Sequence, residues 1–224
     1  MWCIPALTPE CIGSMEERLD LDAKPHHARA PVRCVDEQSK PLLKDTRPVK
    51  NTKAGKPRRR DDDYERSGTS TSCVTVEPNG GSREVSLTNQ RKTPDVAQDI
   101  ARIIKLHRDR HATTIPSVLD HLNTHFENSF IETFGTREAN HRLSRIRVHD
   151  TPKHASWLKM AESEIGMLSR QSIQGRIPPE EKLRAPTRLW QARRNGARAM
   201  SSWTFTVRHA RATFQSNSRG SKLN

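Results

Sequence analysis

Residues 115–125 read I-P-S-V-L-D-H-L-N-T-H, a short apolar run that ends on one acid, Asp120, before a polar turn. That pattern constrains the fold more than any other stretch. An ionised carboxylate at the end of a buried strand is costly unless something positive sits beside it. Residues 32–37, V-R-C-V-D-E, form a second short strand that ends in acid, and residues 157–164, W-L-K-M-A-E-S-E, are helical with an acid one turn in. Asp36, Asp120 and Glu162 are therefore the three carboxylates that could converge on a divalent cation.

The surrounding pattern is one of alternating strands and helices. Ser14–Leu21 has a helical start, with Ser14 as N-cap and Glu17 three residues on as a capping box. After the strand at 32–36, residues 40–66 hold T-R-P-V-K-N-T-K-A-G-K-P-R-R-R, whose prolines, glycine and lysines predict an exposed loop. Residues 72–77 and 82–88 alternate polar and apolar residues around P-N-G-G, which predicts a β-hairpin. A helix over 95–107 would turn Val96, Ile100, Ile103 and Ile104 inward. Strand 113–119, helix 124–134 with Phe126, Phe130 and Ile131 inward, strand 145–149 and helix 157–173 with Leu158, Ala161, Ile165 and Leu168 inward complete the series. The order predicts an α/β fold: a mixed sheet with three antiparallel strands and then parallel ones, flanked by helices. Acids ending the first and fourth strands would meet if those strands are neighbours, which is the ribonuclease H-like arrangement.

Charge points to the partner. The formal net charge is +13 and the pI about 10.2, which favours a polyanion, nucleic acid before an acidic membrane surface. Leu, Ile, Val and Phe make up about 18% of the chain, so a folded middle with poorly ordered ends is expected. No apolar run approaches the ~20 residues of a membrane span, and M-W-C-I-P-A-L-T-P-E lacks the basic start and long apolar run of a signal peptide. Cys3, Cys11, Cys34 and Cys73 form no C-x-x-C pair, so reduced thiols are expected instead of a zinc site. His121 and His125 lie at i, i+4, but no third ligand accompanies them.

Several pieces of the sequence, in order, resemble one family. They are M-W-C-I-P at the start, C-V-D-E at 34–37, G-K-P-R-R-R-D-D-D-Y-E-R-S-G-T at 55–69 and E-P-N-G-G at 77–81. L-D-H-L-N-T-H at 119–125 and T-P-K-H-A-S-W-L-K-M-A-E-S-E at 151–164 follow, then R-I-P at 176–178, R-N at 194–195 and W-T-F-T at 203–206. The chain is similar to DDE transposases of the mariner superfamily, in the bacterial insertion-sequence branch named for element six-thirty. The resemblance implies that Asp36, Asp120 and Glu162 are the catalytic triad and hold two Mg²⁺ (or Mn²⁺) ions. It implies cleavage of DNA at element ends and transfer of the 3′-hydroxyl to a target, in a bacterial cytoplasm at the nucleoid. Lys56, Arg58, Arg59, Arg60, Asn123, His125, Lys153 and His154 are then the expected DNA contacts. No membrane and no small-molecule cofactor is expected, and whether the protein pairs as a homodimer is left open.

The resemblance also divides the chain. Residues 1–30 would be an approach segment following a helix-turn-helix module absent from this sequence, 31–175 the catalytic domain, and 176–224 a basic tail, partly helical or disordered. Departures from the family pattern are His121 after the second aspartate, Asp150 ahead of T-P-K-H, Ala155 and Lys159. Pro116 lies in a strand expected to be central, so Pro116→Val is expected to raise the unfolding midpoint. Pro186 is expected to interrupt a tail helix. Together they suggest a truncated, drifting copy, with a catalytically inactive, basic nucleic-acid-binding remnant as the competing reading.

Overall fold

The computed structural model describes residues 8–89, 93–105, 111–119, 125–150, 160–173, 176, 180–201 and 204–212. The elements run α1 (Pro9–Ala23), β1 (Arg33–Asp45), β2 (Tyr64–Glu77), β3 (Ser82–Thr88), α2 (Thr93–Lys105), β4 (Ile115–Leu119), α3 (His125–Phe134), α4 (Thr136–Leu143), β5 (Ile146–Asp150), α5 (Met160–Ser172) and α6 (Glu180–Gly196). One five-stranded sheet in the order β3-β2-β1-β4-β5 organises them. β1–β2 and β2–β3 pair antiparallel, whereas β1–β4 and β4–β5 pair parallel. This is the expected mixed sheet flanked by helices.

Side chains alternate across a strand, so each strand feeds two cores. On one face Val35, Cys73 and Leu119 pack with Ala97, Ile100 and Ala101 of α2, Phe130 of α3 and Ala139 of α4. On the other, Cys34, Val76 and Val118 pack with Leu21 of α1 and with Met160 and Ala161 of α5. Val74 and Leu42 share that second face with Ile165 and Leu168 of α5 and Leu183 and Trp190 of α6. The segment after α6 returns to α1, where Ala210 is buried on Met15 and Leu19.

Several sequence expectations change. α1 begins at Pro9, not Ser14. Thr8 precedes a proline at the first helical position, where the missing N–H has no intrahelical partner to lose. Ile131 is 37% exposed, because Phe130 and its i+4 neighbour Phe134 define the inner face of α3. α4 was not expected. α6 runs through Pro186. The proline occupies an exposed position while Leu183, Thr187 and Trp190 bury the opposite face, which anchors the helix across the one backbone bond that proline removes.

The largest difference is the region expected to be a loop. β1 continues to Asp45 and β2 starts at Tyr64, so residues 40–45 and 64–70 extend the sheet as a two-stranded arm. Its register shifts between Pro41 and Leu43, and a bulge is where a strand tolerates proline. Tyr64 to Thr69 are exposed on both faces, so no apolar alternation marked the strand. Arg60 donates to both Asp45 carboxylate oxygens at 2.7 and 2.8 Å, and Arg176 to Asp45 at 3.0 Å, which ties the arm to the chain after α5. The Arg60 hydrogen bonds, then Arg176, hold the Asp45 carboxyl down at about 2.

Pro116 proves well placed. The N–H groups of successive strand residues point to opposite neighbours. Ile115 donates to the Arg145 carbonyl at 2.7 Å, toward β5, so the donor that Pro116 lacks would have pointed toward β1. There the ladder begins only at Arg33↔Ser117, one residue further on. Pro116→Val should therefore shift the unfolding free energy by no more than about 0.5 kcal/mol, against the rise expected from sequence; paired thermal melts would show it.

The turn joining β2 to β3 has no such slack. Gly81 has φ +67°, and a Cβ there would lie 2.7 Å from the Arg198 backbone. Gly80 has no room for a Cβ against the Glu77 carboxylate. Gly81→Ala should cost about 1–3 kcal/mol, read as a lower urea midpoint at unchanged m.

Candidate active site

Asp36 pairs across the sheet with Val74, and Cys34 with Val76. Cross-strand partners share a face, so Asp36 lies on the face that α5 covers. Its Oδ1 accepts the Glu37 N–H at 2.9 Å. Glu37, one residue on, belongs to the opposite face, which settles which of the two adjacent acids α5 can meet.

α5 lies along β1. Met160 and Ala161 pack with Cys34, and nine residues later Ser169 donates to Gln38 Oε1 at 2.8 Å. Nine helical residues span ~13.5 Å and four strand residues ~13 Å, so helix and strand advance together. Glu162, in the first turn of α5, is thereby level with the stretch between Cys34 and Asp36. It is exposed, and among the described residues it has no ion-pair partner.

Glu164 has a different place. Its side chain is fully buried, with Arg83 donating at 2.9 and 2.6 Å, Arg194 at 2.9 Å and Ser201 at 3.4 Å. Burial pushes this carboxyl up, but the Arg83 hydrogen bonds and the charges of Arg83 and Arg194 outweigh it, so it lies below the usual carboxylate range. Glu164 is a structural anchor for α5, and Glu162 is the acid left facing solvent.

Behind Asp36 lies a group that sequence reasoning missed. Arg18 is 1% exposed; it donates to Asp22 at 2.6 Å and to the Cys34 sulfur at 3.3 Å. Burial pushes the Asp22 carboxyl up to about 6 in spite of Arg18. The i, i+4 spacing of Arg18 and Asp22 was visible in the sequence, but it is commoner on solvated helix faces. Here it sets a buried guanidinium two residues from Asp36 on the same face of β1.

Asp120, Asn123, Lys153 and His154 lie outside the described residues; Leu119, at the end of β4, is the last one before Asp120. His125 opens α3. Lys56, Arg58 and Arg59 are exposed at the tip of the arm, which closes through the bridges Lys50↔Arg59 and Lys53↔Lys56. Arg60 is engaged with Asp45. Among the described residues no group of three or more His, Cys, Asp or Glu could hold a metal ion, and no helix is long and apolar enough to cross a membrane.

The fold has known counterparts. The structure is similar to the Mos1 mariner paired-end complex with Mn (TM-score 0.52, 13% identity, 86% of this chain and 58% of that one). It is also similar to the Mos1 transposase paired-end complex with the left transposon end (0.53, 12%, 86% and 57%). A third similarity is to the Mos1 strand-transfer complex (0.50, 14%, 86% and 57%). The chain thus spans less than two thirds of the transposases it resembles. At these identities the likeness establishes the ribonuclease H-like fold. No curated protein matches the sequence. The family model of the DDE superfamily endonuclease matches residues 31–184, which cover all five strands, and the chain belongs to that family.

Proposed function

We propose that this chain is the catalytic part of a DNA transposase of the mariner type, in the bacterial insertion-sequence branch, cutting and joining DNA strands with Asp36, Asp120 and Glu162. One observation carries the reading. β1 and β4 are parallel neighbours in the register Arg33↔Ser117, Cys34↔Val118. Asp36 lies two residues beyond Cys34 on the face that α5 covers, close to the first turn of α5, and in the sequence Asp120 directly follows Leu119, the last residue of β4. Asp36, in the interior of β1 and not at a strand end, Asp120 and Glu162 would then share one layer.

The donors fit a hard divalent cation. All three are carboxylates, Asp36 is half-buried and Glu162 exposed, and Mg²⁺ or Mn²⁺ takes oxygen ligands while leaving positions for phosphate and water. Two such ions would activate a water or 3′-hydroxyl nucleophile and stabilise the leaving oxygen. The chain's part is to hold three carboxylates at fixed separation, with β1 and β4 locked by their ladder and α5 by Glu164–Arg83. The relatives are paired-end DNA complexes, so DNA ends are the proposed substrate and two copies the proposed assembly.

The test is nicking of supercoiled plasmid by the full chain with Mg²⁺ or Mn²⁺, against Asp120→Ala. Metal-dependent nicking that the variant lacks supports the reading; equal activity in both, or none in either, contradicts it.

The arm supplies the basic contact surface. Alanine at Lys56, Arg58 and Arg59 together should flatten log K against log salt by about 0.9 for each phosphate no longer neutralised. Arg60→Ala should instead loosen the arm, because Arg60 is held by Asp45. Salt titrations of duplex binding distinguish the two effects.

A further inference from the structure

At the opposite edge of the sheet from β5, a cleft of about 380 Å³ opens between α2, α6 and β3. Its floor is the edge strand. Along β3, α6 caps outward-facing N–H groups with side-chain amides: Arg83 N–H donates to Asn195 Oδ1 at 2.7 Å and Val85 N–H to Gln191 Oε1 at 2.9 Å. With a strand period of two, the next outward N–H is that of Leu87, which lines the cleft. One turn of α6 before Gln191, the residue facing it is Thr187, not an amide.

Thr187 is 3% exposed, and its Oγ1 has no hydrogen-bond partner among the described residues. A helical threonine ordinarily satisfies its hydroxyl on a preceding carbonyl, so this donor is spare. Arg184 and Arg188 stand on the same face of α6, three residues before Thr187 and one after, and Arg102 of α2 forms the opposite wall. Glu84, the one acid lining the cleft, accepts from Gln191 Nε2 at 3.1 Å. Arg102 is paired with Asp99 at 3.2 Å, and the cleft gathers its guanidinium with those of Arg184 and Arg188, a buried hydroxyl and a backbone N–H, a set suited to a tetrahedral oxyanion.

We infer that this cleft binds a backbone phosphate of nucleic acid, separately from the acidic site. β3 is two strands from β1, ~10 Å across the sheet, so the phosphate held here is not the one being cut. A peptide adding a strand to β3 is disfavoured, since α6 already occupies the N–H groups of residues 83 and 85. The choice of nucleic acid over another polyanion rests on the transposase reading; the cleft's preference for anions does not.

The test uses the full chain in EDTA, binding a labelled duplex of arbitrary sequence across a salt series, so that metal-dependent contacts do not contribute. Arg184→Gln with Arg188→Gln should weaken binding and flatten log K against log salt by about 0.9 for each phosphate released from its guanidinium. The corresponding pair of lysine variants should keep the slope, and Thr187→Val should weaken binding at unchanged slope. An unchanged slope in the glutamine pair, with melting as for the native chain, overturns the inference. Poly-glutamate competing better than unlabelled duplex at equal charge overturns the nucleic-acid assignment. Failure of the transposase reading shows elsewhere, as native protein that binds duplex but does not nick plasmid with Mg²⁺ or Mn²⁺.

Discussion

Arg83→Met should destabilise the fold by about 3–5 kcal/mol, the range for breaking a buried ion pair from one side. That is a large part of the ~5–15 kcal/mol typical of a domain. The substitution leaves the Glu164 carboxylate fully buried with only Arg194 and Ser201 on one of its oxygens. β3, α5 and α6 meet at this carboxylate, so the loss is not local. The pH dependence follows from the direction of its shift. Glu164 is held below its ordinary value, so its contribution is present above the unfolded carboxylate pKa and is lost as pH falls through the folded one. Native protein should lose stability in acid through this group, and Glu164→Gln should show a flatter acid limb in urea melts taken at several pH values. A methionine variant as stable as the native chain would mean that the buried pair is dispensable.

Glu162→Ala should do the reverse. It lies two residues from Glu164 on the same helix, but it is exposed and has no ion-pair partner among the described residues. Its removal should change the unfolding free energy by no more than about 0.5 kcal/mol. Metal-dependent nicking should fall by more than the about 10–100-fold typical of losing a metal ligand's outer-shell partner. The contrast between adjacent acids separates a ligand from an anchor. Equal nicking by native and Glu162→Ala protein would remove the third member of the triad.

What the sequence showed depended on burial. The hairpin around P-N-G-G, the strand at 115–119 and the helix carrying Ala161, Ile165 and Leu168 have one face on the core, and their apolar spacing announced them. The arm at 40–45 and 64–70 was hidden because Tyr64 to Thr69 touch no core and Pro41 breaks the alternation at a bulge. α6 was obscured by Pro186 and four arginines, although Leu183 and Trp190 sit in the core at i and i+7. Glu162 could be read as a first-turn acid, but Asp36, expected to end a strand, lies inside β1, which runs on to Asp45. Glu164 and Glu162 were told apart by helix position alone, and the reason lay in Arg83, 81 residues away in the chain. Nothing in the spacing of Arg83, Glu164 and Arg194 marks them as one cluster. Thr187 gave no signal either, because a spare hydroxyl exists only once β3 and α6 are packed.

The central claim is that three carboxylates, Asp36 of β1, Asp120 and Glu162 of α5, hold the divalent ions. Crystals of the full chain grown or soaked with Mn²⁺, with data collected at a wavelength where manganese scatters anomalously, test it most directly. The account predicts anomalous peaks bounded by the carboxylates of Asp36, Asp120 and Glu162, roughly 3.5–4 Å apart where two ions are bound, and no such peaks in Asp36→Ala crystals. Manganese bound away from Asp36, or Asp120 on the α2 face of the sheet, would contradict it.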